Sequence, residues 1–199
     1  MIVTEQDKLT LNIIKGDEIL DKSPLLVLIS ILICGLYYGI VNAKLNDTPP
    51  SFEETLAGVG YKSIADALDN FEHHFNQELE LPTRVPPISF THYFGRFSNL
   101  DGEINDTLEV KFISDQLPDN HFKIDIRPIK HKITFEKYKL KVFKLKNGAN
   151  ATYINDLKFG FNLLVFESDN WHYMFSIDAD VSDKVTPEIL VEIANSIDF

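Results

Sequence analysis

Residues 23–43 read SPLLVLISILICGLYYGIVNA, an uncharged run between Lys22 and Lys44. At about 1.5 Å per residue, roughly 20 helical residues cross the ~30 Å hydrocarbon core of a bilayer. The run predicts a transmembrane helix. It divides the chain into a tail (1–22), a span (23–43), a spacer (44–50) and a domain (51–199). A helix at the surface of a soluble core would show polar residues every three or four positions. From Leu25 to Val41 only Ser30, Tyr37 and Tyr38 interrupt the apolar pattern.

A cleaved signal peptide is the competing reading, because Val41-Asn42-Ala43 is an acceptable cleavage site. Signal peptides open on a short basic segment and have a shorter apolar core. This tail carries five acids (Glu5, Asp7, Asp17, Glu18, Asp21) against three lysines, so an uncleaved anchor is favoured. Cys34 follows Ile33, where a lipidation signal needs a small residue, and reads as apolar filler. Lysines set the orientation. Lys8, Lys15 and Lys22 precede the span, and only Lys44 and Lys62 follow it before residue 63. The positive-inside rule then puts the N-terminus in the cytosol and the domain outside, in a single-pass protein of the cell membrane.

The chain has a formal charge of −11, and 44% of its residues are hydrophobic, enough for one packed core in residues 51–199. No cysteine lies outside the span, so no disulfide can staple the domain. Animal extracellular domains of this size commonly use disulfides, and Gram-positive surface proteins usually do without. The three N-x-T sequons, at Asn46, Asn105 and Asn150, are chance-level patterns in a bacterium.

Thr48-Pro49-Pro50 reads as a stiff spacer. Ser51 and Glu54 fit a capping box that opens a short helix ending near Gly58 or Gly60. A second helix starts at Ser63, with an apolar stripe of Ile64, Leu68, Phe71, Phe75 and Leu79. It ends before Pro82, because a residue preceding proline is pushed out of helical geometry. Leu81 to Pro87 reads as an extended connector. From Ile88 onward the period becomes two: Leu108, Val110 and Phe112; Phe122, Ile124 and Ile126; Leu140 and Val142. Such alternation makes strands with one wet and one buried face. Asn147-Gly148 marks a tight hairpin. Phe159–Phe166 and Trp171–Ile177 read as the last two strands, joined through Ser168-Asp169-Asn170. A final helix has Thr186 as cap, Pro187 as first residue, and Ile189, Leu190, Ile193 and Ile197 as buried stripe. The expected fold class is α+β: an N-terminal transmembrane helix, then a curved antiparallel sheet of about seven strands with flanking helices.

Two stretches carry a resemblance. One is LPTRVPPISFTHYFGRF, residues 81–97. The other runs from KNGANATYINDLKFGFNLLVFESDNWHYMFSID to TPEILVEIANSI, within residues 146–197. The second resembles the end of an uncharacterised extracytoplasmic domain of spore-forming Firmicutes, where an apolar strand, a W-x-Y strand and a closing helix follow one another. The resemblance implies a domain behind one membrane span, with a fold similar to lipoprotein-carrier and sigma-regulator sensor domains, a half-open antiparallel barrel holding a helix. It implies no catalytic residues. The tail here has no His or Cys for the zinc-binding module of an anti-sigma factor.

Chemistry-bearing residues form no constellation in the sequence. His73 and His74 are adjacent on a helix and point about 100° apart, so they cannot share a metal as an i,i+4 pair does. His92, His121, His131 and His172 are scattered through strands and loops. No G-x-S-x-G, H-E-x-x-H or phosphate-cradling glycine loop occurs. Acid pairs such as Glu53/Glu54 and Asp178/Asp180 are commonplace in a chain with 30 acids. No cofactor or metal is expected.

Charge is the anomaly. Residues 123–146 hold nine lysines and arginines against Asp125 and Glu136, a local +7 that leaves the rest at −18. Lys123, Arg127, Lys139, Lys141, Lys144 and Lys146 are the candidate contacts for a polyanion or partner, provided that their strands are neighbours. The competing reading is edge protection, in which lysines stop strands of two molecules from pairing. Nucleic acid does not suit the outer side of a membrane. The expectation is a binding or sensor module without catalysis, engaging an envelope protein or an anionic envelope polymer. The alternative is a carrier-like domain that holds a lipid or other apolar ligand among the aromatics of the last two strands.

Overall fold

A computed structural model describes residues 50–99, 106–135, 140–155 and 160–198. The tail, the span and all of the spacer but Pro50 lie outside the described residues, as does Lys139. Among the described residues no helix is long and apolar enough to cross a membrane.

Period-two segments build seven antiparallel strands: β1 (His92–Ser98), β2 (Thr107–Ile113), β3 (His121–Pro128), β4 (Leu140–Lys144), β5 (Asn150–Asn155), β6 (Phe161–Ser168) and β7 (Trp171–Asp178). They form one sheet in the order β1-β2-β3-β7-β6-β5-β4. Two meanders thus join in mid-sheet, where β3 pairs with β7 from Phe122↔Ile177 to Pro128↔Trp171. The chain leaves β3 in the middle and re-enters at the far edge as β4. Both expected hairpins occur: β4 turns into β5 through Gly148 (φ +87°), and β6 into β7 through Asp169 (φ +50°).

The expected caps set three helices. In α1 (Phe52–Gly58) the Ser51 N–H donates to Glu54 Oε2 (2.7 Å) and the Glu54 N–H to Ser51 Oγ (3.1 Å), a full capping box. In α2 (Ile64–Phe75) the Asp66 N–H donates to Ser63 Oγ (3.0 Å). This helix stops short of the expected reach toward Pro82. Asn76 turns left-handed (φ +49°) and closes it, as asparagine can where most side chains are penalised. Leu79 is buried all the same, from the connector, its N–H donating to Glu72 Oε1 (2.7 Å). In α3 (Pro187–Ala194) Thr186 caps and Pro187 leads, both as expected.

The pleat sends alternate residues to opposite faces. One face packs Val110, Ile124, Phe166, Tyr173 and Phe175 against Phe71 of α2 and Leu190 and Ile193 of α3. Gly95 of β1 lies directly beneath α2. A Cβ there would stand 2.6 Å from Ala67 Cβ and 2.9 Å from Ile64 Cα. The opposite face buries a smaller cluster, Ile154, Leu163 and Val165, with Phe135, Phe161 and Met174 against it. Between that cluster and β1 the opposite face is polar, and its residues are the functional candidates.

Candidate functional site

Strand register lays the polar face out in rows. Phe94, Lys111, Lys123 and Ser176 stand side by side across β1, β2, β3 and β7. The next row is Arg96, Glu109, Asp125 and Met174. Two lysines thus face each other across one pair of strands, and two acids face each other beside them. Like charges directly opposite repel, so each row is held by the other. Lys123 Nζ lies 3.0 Å from Asp125 Oδ2 and 3.6 Å from Glu109 Oε2. Lys111 Nζ lies 3.5 Å from Glu109 Oε1, and Arg96 Nη2 lies 3.6 Å from Glu109 Oε2. Tyr61 roofs one side, with the Arg96 guanidinium 4.5 Å and the Lys111 ammonium 4.6 Å from its ring centre.

This block is partly dehydrated. Asp125 is 3% exposed, and burial pushes its carboxyl above the usual carboxylate range against the pull of Lys123. Burial works to lower the Lys123 ammonium, but Asp125 and Glu109 outweigh it and hold the group above its ordinary value. Arg127, one row further along β3, is 7% exposed, and its Nε has no hydrogen-bond partner. Beside it His172 is pushed down to about 4 by burial and by the Arg127 charge. The Ile133 N–H donates to His172 Nε2 (3.4 Å), which brings the segment after β3 over this end of the face.

The basic segment does not form one surface. The condition for a shared field was that its strands be neighbours, and β3 and β4 are separated by β7, β6 and β5. Lys123 and Arg127 sit in mid-sheet among acids and buried groups. Lys141 points to the helix side, pairing with Glu188 of α3 (3.0 Å) across an exposed gap. Lys144 points to the other side, 3.1 Å from Asn150 Oδ1. Lys146 follows in the turn, its N–H donating to Asn195 Oδ1 (2.7 Å). β4 is the edge of the sheet, the place where lysines guard against pairing between molecules.

The histidines do not converge. His121 and His172 share the polar face but lie six residues apart along the β3 register, about 20 Å. His92 Nε2 pairs with Glu53 of α1 (2.8 Å), and His74 faces Asp106 at 3.9 Å. Among the described residues no three His, Cys, Asp or Glu side chains stand together as metal ligands. Glu109 and Asp125 are adjacent, but both are engaged by Lys123.

Cavities open on the polar face. One of about 510 Å³ lies toward β4, walled by Ile133, Phe135, Ile154 and Val165, with His172 and the Lys132–Glu167 pair in its lining. One of about 380 Å³ lies under α1, lined by Phe52, Leu56, Ile113 and Pro118 together with Lys111, Asp115 and His121. A small one of about 130 Å³ lies between Lys111, His121, Lys123, Phe161 and Ser176. Lys111, His121 and Ser176 carry no signal in the sequence, because their grouping depends on the β2–β3–β7 register. No family model, no curated protein and no solved structure matches the chain.

Proposed function

We propose that the chain is a membrane-anchored extracytoplasmic binding or sensor module without catalytic activity, docking an acidic envelope protein or an anionic envelope polymer. The observation that carries this reading is the β4 edge. Among the described residues no strand pairs with the outer side of β4. That edge presents Val142, 60% exposed, between Lys141 and Lys144, with Lys146 just beyond. A free sheet edge offers backbone donors and acceptors to an incoming segment. The flanking ammonium groups favour an acidic one and make its capture sensitive to salt.

The test is co-sedimentation of the full chain, in mild detergent, with purified Gram-positive cell walls at rising salt. Binding should weaken with salt, and Lys141→Glu with Lys144→Glu should reduce it about tenfold or more, the scale of two lost ionic contacts. Binding indifferent to both salt and charge reversal removes the reading.

A carrier-like module is the second reading, favoured by the cavity of about 510 Å³ beside β5 and β6. That volume falls within the range of small-molecule sites. Native mass spectrometry of the gently extracted chain decides it. A discrete lipid-sized adduct supports the carrier, and a bare mass counts against it.

A further inference from the structure

We propose that the cavity of about 130 Å³ between Lys111, His121, Lys123 and Ser176 is a binding site for a small oxyanion, a carboxylate or phosphate group. The site lies on β2, β3 and β7 with Phe161 of β6 in its wall, on the far side of β5 from β4, and it stands whether or not the β4 edge binds a partner.

Register is the first reason. Lys111 and Lys123 are directly opposed on β2 and β3, and Ser176 is directly opposed to Lys123 on β7. Two ammonium groups and a hydroxyl are thereby brought to one small volume by the sheet itself. Glu109 and Asp125 answer the two lysines from the neighbouring row, and Arg96 adds a further positive charge on Glu109. The lining of the cavity itself carries two ammonium groups and no carboxylate, and an anion between the two lysines would relieve their repulsion.

The second reason is an unanswered donor–acceptor. His121 Nε2 is buried without a hydrogen-bond partner, although its residue lines this cavity. Phe161 packs edge-on against the ring at 5.7 Å and sets its plane. Burial, with the charges of Lys111 and Lys123, holds the imidazole below its ordinary value, and Asp178 opposes them. The ring is therefore neutral at neutral pH and can offer one N–H.

Size and surroundings give the chemical class. At ~30 Å³ per water the cavity holds about four waters, or one oxyanion of four or five heavy atoms. Lys111 and His121 also line the cavity of about 380 Å³ under α1, whose other walls are largely apolar. A free anion fits the small cavity, and the same head on an amphiphile fits with its body under Phe52 and Leu56.

The experiment is calorimetric titration of the full chain in neutral detergent and chloride buffer. Inorganic phosphate and acetate are the first probes, and short-chain phosphatidylglycerol against short-chain diacylglycerol is the second pair. Saturable binding of phosphate or acetate, one per chain, is expected. Lys111→Met should weaken it about tenfold or more, the loss of one charge-assisted contact. That variant leaves Glu109 with Arg96 and Lys123, so the ionic block survives. Ser176→Val should weaken it as well, and Lys130→Met, at an exposed position away from the cavity, should not. Phosphatidylglycerol binding that inorganic phosphate displaces identifies a headgroup as the source, and phosphate binding without lipid binding identifies a free anion. No saturable heat from any anionic probe up to about 10 mM, or binding that Lys111→Met and Ser176→Val leave unchanged, overturns the site.

Discussion

Replacing Gly95 by alanine should dislodge α2 from the sheet. The added Cβ would stand 2.6 Å from Ala67 Cβ, 2.9 Å from Ile64 Cα and 3.0 Å from Ser63 O. Carbon atoms in contact settle at about 3.5–4.0 Å, so one element must retreat by roughly 1 Å. β1 is poorly placed to do so. The Lys62 N–H donates to Gly95 O (2.9 Å) and the Gly95 N–H to Lys62 O (2.8 Å), which pins the strand at this residue. Backbone supplies two of the three clashing atoms, so no rotamer change relieves them. We expect about 3 kcal/mol of destabilisation, the upper part of the range for overpacking. For a domain of this size that lowers Tm by about 6–12 °C.

The single tryptophan reports the event. Trp171 is 4% exposed and packs on Phe71 (4.8 Å) and Phe75 (5.1 Å), both on α2. Its emission should follow the loss of helix docking in a urea titration. Ala67→Gly costs about 1 kcal/mol of helix propensity alone. In the Gly95→Ala background it should cost less or even stabilise, because it removes the 2.6 Å contact. Rescue stays partial, since the contacts with Ile64 and Ser63 remain. A Gly95→Ala chain within about 0.5 kcal/mol of the parent would refute the close approach of α2.

Three further outcomes are expected. His172 is held at about 4 in the fold against an ordinary 6.5, so the unfolded chain takes the proton first. Stability from keeping it neutral is fully present above about pH 6.5 and is lost as pH falls toward 4, by roughly 2 kcal/mol after screening is allowed for. His121 acts in the same sense, whereas Asp125, raised by burial, opposes them at the acid end. His172→Gln should flatten the decline between those limits, and an unchanged urea-midpoint profile against pH rejects the role. Lys123→Met should cost about 2 kcal/mol by leaving Asp125 buried without its nearest cation, and adding Asp125→Leu should restore much of it. Equal losses in the single and double variants would dismiss that pairing. Asn76→Gly should match the parent in Tm and Asn76→Ala should fall about 1 kcal/mol below it, as the left-handed residue closing α2 requires; equality of all three would deny that geometry.

Local rules carried most of the fold. Caps at Ser51, Ser63 and Thr186, the turns at Gly148 and Asp169, and period-two alternation each act within a few residues, so the sequence exposes them directly. The end of α2 departs from the pattern because Leu79 continues the apolar stripe while Asn76 has already closed the helix. Strand order was not legible. Nothing in residues 123–146 reveals that the chain passes from mid-sheet to the far edge, and a cluster of lysines along the sequence becomes two separate groups in space. The row of Lys111, Lys123 and Ser176 was hidden for the complementary reason, since its members lie up to 65 positions apart and meet only through register.

That row also bears on why the polar face exists. Apolar residues at Lys111, Lys123, Glu109 and Asp125 would pair across β2 and β3 with no repulsion and no dehydrated charge, and buried ion pairs replaced this way often leave a protein as stable or more so. A sheet needs none of these charges to close its core, which lies on the other face with Phe71, Phe166 and Phe175. Sequences that fold well agree with their structure at every level, and a local conflict tends to mark a place where something other than folding is served. Here the conflict is specific: two lysines opposed across one register position, with a cavity beside them instead of a packed side chain. Position on a sheet edge accounts for the lysines Lys141 and Lys144 of β4 but not for Lys111 and Lys123, which lie five and four strands in from that edge. The two proposals therefore rest on different lysines, those of the β4 edge for a partner and Lys111 with Lys123 for a small anion. Charge reversal on β4 and neutralisation of Lys111 should then affect different measurements.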